Sequence, residues 1–458
     1  MKKILCVFLA AALLLSAGTL FAGNLDYLSN QSALYVQTLN RNAATDGADI
    51  INFNPAGTAF LPKGLHLDLS NQVLFKFYRH DASGTFLEQF GVKDTYKPAM
   101  ITPFLPNFYL SYNLGTVGVG RLAFNLQAGV TAGGGELDYS DGTAGSVYAL
   151  NVLRGSLIGG MGQDLGSINS RNFKASSIYY GVGFGGAYSF LHDMMSVSLG
   201  VRVVIPRRSF SMEGVYVNAA GVSTFVKAEY EYDTVGFTPI VGFDLRLMER
   251  LTIGLRWEYE TELKFKYRQK ELNVIGANPL LVGGAKAGIS RILGASGITD
   301  GKEFNNNLPH ILAAGVEYEV LSGLALDAST SVYFLPYADL EGKQKYFTMG
   351  YDVGLGATWR ILKPLKIGAG FSFTESGTID SYYRDEVLNA SANPPLDSIA
   401  FGAGVTYSFA FGLDLNLGLL YSHYLPASYT ASQPKVITLT GENKKDVFEA
   451  AIGVSFHL

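Results

Sequence analysis

Few residues in the chain are of types that do chemistry, and they are scattered. The six histidines, His66, His80, His192, His310, His423 and His457, include no close pair at the spacings that hold a zinc ion. No Gly-x-Ser-x-Gly or comparable nucleophile arrangement occurs. Gly181-Val182-Gly183-Phe184-Gly185-Gly186 fits the phosphate-cradling G-x-G-x-x-G pattern formally. There, however, Ile178, Tyr180, Val182 and Phe184 alternate with Gly181, Gly183 and Gly185, which is the period of a strand. The remaining candidates are cations able to hold a carboxylate headgroup: Arg202, Arg256, Lys264 and Lys266. Glu258, Glu260 and Glu262 lie among them and are their simpler partners. No cofactor or metal is expected. A formal charge of −4 provides no basic surplus for nucleic acid.

The elements that position these residues are strands. Hydrophobic residues make up 48% of the 458, and charged residues only 16%, against roughly 25% in soluble globular proteins. The 53 glycines exceed the roughly 7% of average usage. From Leu251 to Arg268 the odd positions (Leu251, Ile253, Leu255, Trp257, Tyr259, Leu263, Phe265, Tyr267) are apolar apart from Thr261. The even ones (Arg256, Glu258, Glu260, Glu262, Lys264, Lys266, Arg268 and their neighbours) are mostly ionic. Period-two alternation puts these sets on opposite faces. The same rhythm recurs at Phe347–Trp359, Leu413–Tyr421 and Phe448–Leu458, with Gly, Ser and charge on the second face. An apolar outer face and a small, polar inner one are the pattern of a membrane barrel.

Residues 1–22 read as a secretory signal. Lys2 and Lys3 precede an apolar run from Ile4 to Leu15, and small residues lead to Ala22. That run is too short to span a bilayer, which needs about 20 residues. The only cysteine, Cys6, leaves with it, so no thiol or disulfide chemistry remains. Fourteen alternating segments follow, beginning near Leu65, Asn107, Val117, Ser177, Val197, Thr224, Leu251, Leu312, Leu324, Lys345, Leu365, Ser398, Leu413 and Val447. Tight turns, such as Gly115-Thr116, His192-Asp193, Glu249-Arg250 and Phe411-Gly412, alternate with mostly longer loops. Short turns at one end and long loops at the other mark an outer-membrane barrel. A sheet in lipid must close to pair its backbone. The expected fold is therefore all-β and transmembrane: one 14-stranded antiparallel β-barrel over 64–458, with both termini on the periplasmic side.

Residues 23–63 do not alternate but contain apolar groups to bury, among them Leu34, Tyr35, Val36, Leu39, Ile50, Ile51, Phe53 and Phe60. A barrel of this size would otherwise enclose an open interior, so a plug inside the lumen is expected. The stretch Ala48-Asp49-Ile50-Ile51-Asn52-Phe53-Asn54-Pro55-Ala56-Gly57 resembles the hatch motif of the FadL/TodX family of outer-membrane transporters of fatty acids and hydrophobic compounds. Only Asn54, Pro55 and Ala56 match as a motif. Their place just before the first of fourteen strands, after a signal segment, extends the resemblance in layout to essentially the whole mature chain. The ending Phe456-His457-Leu458 departs from the terminal aromatic residue of many such barrels.

Two further features carry functional expectations. Around Gly118, Val119, Gly120 and Arg121 the apolar parity changes, from Val117 and Val119 to Leu122, Phe124 and Leu126. A bulge or kink in the third strand permits such a change. The family resemblance implies an inward kink there and a lateral opening, so Gly118, Gly120 and Arg121 are assigned to that gate. A second parity change, near Pro239 in the sixth strand, has no functional reading. Two long loops are apolar. One holds Leu150, Leu153, Leu157, Ile158 and Met161 at helical spacing. The other includes Leu281, Ile289, Ile292 and Leu293. They either cap the barrel or form a binding groove, and the resemblance favours an entry groove for hydrophobic ligands.

The function expected is passive uptake of long-chain fatty acids or similar molecules by a non-enzymatic monomer, with Arg202 and Arg256 as headgroup candidates. Its partners are a hydrophobic ligand and outer-membrane lipid. The alternatives are a general porin or structural barrel, and, less favoured, a barrel-type lipid hydrolase.

Overall fold

The computed structural model describes residues 32–458 except 85–94, 99–100, 163, 249, 277, 296, 387–389, 391 and 434–436. The signal segment 1–22 and Glu249 of one expected turn lie outside the described residues. Fourteen antiparallel strands form one ring. They are β1 (Gly64–Ser83), β2 (Ile101–Val117), β3 (Gly120–Tyr139), β4 (Ser167–Phe190), β5 (Met195–Val217), β6 (Ser223–Asp233 and Gly236–Leu247) and β7 (Leu251–Glu258 and Lys264–Ile275). Then come β8 (Glu303–Asn305 and Ile311–Leu321), β9 (Leu324–Tyr333), β10 (Gly350–Leu362), β11 (Leu365–Glu375), β12 (Ser398–Ser408), β13 (Leu413–Gln433) and β14 (Ile437–His457). The last strand pairs with the first, from His66 opposite His457 to Ser83 opposite Thr440. The sheet therefore closes, as backbone pairing in lipid demands. No helix among the described residues is long and apolar enough to cross a membrane.

The alternation sorts side chains as expected over most of the wall. Phe184, Leu199, Leu355, Phe401, Leu419 and Ile452 are more than half exposed on the outer face. Inward neighbours such as Asn416, Glu449, Ala451 and Ser455 are buried.

β7 departs from the expectation. It is interrupted between Glu258 and Lys264, and the parity reverses across the gap. Below it Arg256 and Glu258 face inward. Above it Leu263, Phe265 and Tyr267 are buried, and Lys264, Lys266 and Arg268 point out. The expected lumen position of Lys264 and Lys266 is thus corrected. In this upper part the ring carries charge on its outside and an aromatic cluster on its inside. The change near Pro239 has the same origin. Even positions face inward throughout β6, and only their chemistry shifts, from Gly242 and Asp244 to Val226, Tyr230 and Tyr232.

The third strand differs too. The tight turn joining β2 to β3 is at Gly118-Val119 rather than Gly115-Thr116, and Gly118 takes φ +66°. The parity change at 118–121 is therefore this hairpin turn and not a kink within a strand. A real irregularity lies farther along. β2 and β3 pair from Val117–Gly120 to Asn107–Gly129. Beyond that, among the described residues, the backbone ladder joins 101–106 of β2 to β1 and 130–139 of β3 to β4. The β3–β4 register slips between Val130 and Ala132 and again between Ala132 and Gly135. Gly133 and Gly135 adopt φ +96° and +79°, a region glycine enters at little cost.

Candidate functional site

The N-terminal segment 32–62 supplies one side of the site. It holds the short helix α1 (Ala33–Thr38) and two 3₁₀ turns, Ala48–Asn52 and Pro55–Phe60. Their contacts reach strands around the ring, from β1, β3 and β4 to β11, β12 and β13. Inward-facing glycines make the approach feasible. A Cβ at Gly254 would lie 2.1 Å from the Asn42 carbonyl oxygen, and one at Gly370 would lie 1.8 Å from that of Thr38. Within the segment, the Arg41 guanidinium grips the buried Asp49 carboxylate with bonds of 2.7 and 3.0 Å. The Ser32 hydroxyl donates to the same carboxylate at 2.6 Å.

The Asn54-Pro55-Ala56 motif is the anchor. Asn54 caps the second 3₁₀ turn, its Oδ1 accepting from the Ala56 amide at 3.2 Å. Its Nδ2 donates to the Asp244 carboxylate at 2.7 Å and to the Phe243 carbonyl at 3.1 Å. The Ser196 hydroxyl donates to the Ala56 carbonyl at 2.8 Å. Pro55, at the first position of the turn, has no amide proton to leave unpaired. The three residues of the expected gate are placed differently from the expectation. Gly118 is in the turn, a Cβ at Gly120 would collide with the Ser189 carbonyl at 1.7 Å, and Arg121 donates to the carbonyls of Phe60 and Leu61. Arg121 thus fastens the exit of the N-terminal segment.

Two cavities adjoin this segment and share Tyr35, Leu39, Tyr333 and Asp352 as common lining. The first spans about 610 Å³, solvent-filled space included, and is polar. Arg202 and Arg256 line it together, and both pair with the single carboxylate of Glu258. The Arg202 Nη1–Oε1 distance is 3.4 Å, and the Arg256 Nη1–Oε1 distance is 3.3 Å. All three side chains are buried, and Arg41 and Asp352 line the same cavity. Thr131 of β3 also lines this cavity.

The second cavity spans about 990 Å³, solvent-filled space included. It combines apolar walls (Leu74, Ala400, Leu420, Val447) with Lys76, Glu449 and the backbone of Gly134. The Lys76 ammonium donates to the Gly134 carbonyl, and Thr102 Oγ1 donates to it at 3.3 Å. Lys76 is 5% exposed, and no ion-pair partner for it occurs among the described residues. Sequence reading missed Lys76 and the glycine run 133–135. Both had signals: a lysine on the inward parity between Phe75 and Phe77, and three consecutive glycines inside a strand.

The apolar loop residues are brought together at the long-loop end. They lie on helices α2 (Ala144–Met161) and α3 (Pro279–Ala295), which pack on each other. Leu150, Leu153, Leu157, Leu281, Ile289, Ile292 and Leu293 are buried in one cluster with Tyr216, Tyr232, Phe265 and Tyr267 from the upper ring. Ile158 is exposed, and the Met161 side chain lies outside the described residues. α2 begins with a reciprocal cap, Thr143 Oγ1 accepting from the Ser146 amide at 3.1 Å and Ser146 Oγ from the Thr143 amide at 2.8 Å.

The fold resembles several solved channels. A Pseudomonas aeruginosa FadL homologue matches with a TM-score of 0.63 at 13% identity, over 93% of this chain and 98% of that one. The P. putida toluene transporter TodX matches at 0.55 and 11%, over 96% and 98%. The Ralstonia pickettii toluene transporter TbuX matches at 0.50 and 12%, over 93% and 98%. At these identities the likeness is one of fold. No protein-family model and no curated protein matches the sequence.

Proposed function

We propose that the chain is an outer-membrane channel of the FadL type that passes long-chain fatty acids or similar hydrophobic molecules without an energy source. One observation carries the reading. The irregular stretch 131–135 of β3 borders both cavities, through Thr131 and Gly134, at the place where β3 ceases to pair with β2. A ligand in the cavities is thus beside an interruption of the wall's backbone ladder, crossed by the Thr102 Oγ1 bond to the Gly134 carbonyl. Each methylene gains about 0.8 kcal/mol on leaving water, so a long acyl chain favours a route through apolar walls and sideways into lipid. In this reading residues 23–63 are the hatch, held by Asn54, and α2 and α3 part to form the entry groove. The Lys76 ammonium, with Arg202 and Arg256, receives a carboxylate headgroup. The termini then face the periplasm, and the channel acts as a monomer.

The test is uptake of labelled long-chain fatty acid and of labelled toluene by cells expressing the protein. Fatty-acid uptake above the empty-vector level is expected. Uptake no greater than the vector's for both compounds rejects the assignment.

A further inference from the structure

The seam that closes the barrel carries two histidines face to face at the short-turn end, His66 of β1 and His457 of β14. Their Nδ1 atoms are 3.1 Å apart, and their rings meet edge to face at 62°. Each outer nitrogen already has an acceptor. His66 Nε2 is 2.8 Å from the Pro62 carbonyl oxygen, and His457 Nε2 is 3.4 Å from the Asp414 carboxylate. A carbonyl only accepts, so neutral His66 carries its proton on Nε2 and turns a bare Nδ1 to His457; the neutral His457 ring places its proton either on Nε2 toward Asp414 or on Nδ1 toward His66. With the His457 proton on Nε2, both Nδ1 atoms face each other bare, within reach of one shared cation lying off the line between them.

We propose that His66 and His457 bind a transition-metal ion of the copper(II), nickel or zinc class through their facing Nδ1 atoms. Imidazole nitrogen is a preferred donor for these ions. With metal–nitrogen bonds of about 2.0–2.1 Å, the observed separation subtends about 100° at the ion, between square and tetrahedral geometry. Asp414 takes the place that a carboxylate occupies behind a metal-bound histidine, orienting the ring and raising its basicity. His66 is buried, whereas the His457 side chain is 32% exposed, so water completes the coordination from the open side. No cluster of three or more His, Cys, Asp or Glu able to hold a metal occurs among the described residues. With two protein ligands the affinity order follows the intrinsic one, copper(II) above nickel and zinc. A bound ion would tie together β1, β14 and Pro62, where the N-terminal segment enters the wall.

The test uses the full-length protein, purified in detergent and stripped of metal. Copper(II), nickel and zinc salts are expected to raise its unfolding temperature, and magnesium is not. The copper(II) paramagnetic resonance spectrum is expected to show two equivalent imidazole nitrogens, a readout that needs no variant. Asp414→Asn is expected to weaken binding roughly 10–100-fold, and His457→Gln to abolish the two-nitrogen signal. A spectrum without two imidazoles overturns the proposal. So does binding that is unchanged in His457→Gln, or a stability that responds to pH alone and not to metal, which would mean that a proton bridges the rings.

Discussion

Lys76 is the residue on which ligand class turns. A buried ammonium with no ion-pair partner among the described residues is costly, and an incoming carboxylate would offset that cost. Hydrogen bonds to charged groups contribute about 1.5–3 kcal/mol, so Lys76→Met should weaken fatty-acid binding roughly tenfold or more. Toluene, with no charge to place, should bind as before. Equilibrium binding of the two ligands to both proteins checks this, and an equal loss for both would remove the headgroup role. Asn54 is a second such residue. Asn54→Ala strips the buried Asp244 carboxylate of its donor, at a cost of about 1–3 kcal/mol, and should loosen the N-terminal segment while leaving the strands paired. Faster proteolysis of residues 32–62 with an unchanged barrel fragment is the expected result. Arg202 and Arg256 were legible because parity alone places them inside. Lys264 and Lys266 were not, because the five-residue break at 259–263 reverses the parity that placed them.

At the scale of elements, the N-terminal segment and the inner face of the wall are matched pieces. The glycines on the inner parity read from sequence only as small lumen residues. In the structure they leave room for backbone, as Thr38 against Gly370 illustrates. Gly370→Val should therefore displace α1 without preventing barrel closure, seen as new protease sensitivity near residues 33–42 with unchanged strand content by circular dichroism. Removing one partner from a buried ion pair costs about 3–5 kcal/mol, so Arg41→Met, which strands Asp49, should release the segment more readily than Asn54→Ala does. The third strand shows where sequence reading failed and why. A parity change marks a kink and a two-residue turn alike, and the chain has the turn at Gly118-Val119. The register slips themselves were written in Gly133-Gly134-Gly135, a run that breaks no alternation because glycine belongs to neither face.

For the molecule as a whole, strand number, closure and the alternation of short turns with long loops were all readable, because lipid imposes them on every strand at once. Less legible was the part of the ring beyond the apolar belt. There water replaces lipid outside, the helices α2 and α3 replace water above, and the aromatic cluster moves inward. Strand starts slipped for the same reason: β14 begins at Ile437 rather than near Val447, since its first residues lie where no membrane enforces the pattern. Ligand is proposed to leave through the wall beside the irregular stretch 131–135 of β3. Between Val130 and Gly135, β3 carries two more residues than the β4 stretch from Tyr180 to Ser177 opposite it. Deleting Gly133 and Gly134 should therefore restore a continuous ladder. The deciding measurement is uptake of labelled long-chain fatty acid by cells expressing this deletion at wild-type levels, with the barrel's folding verified by its heat-dependent gel mobility. Uptake falling to the empty-vector level is predicted; uptake equal to that of the unaltered protein would rule out exit at this stretch of the wall.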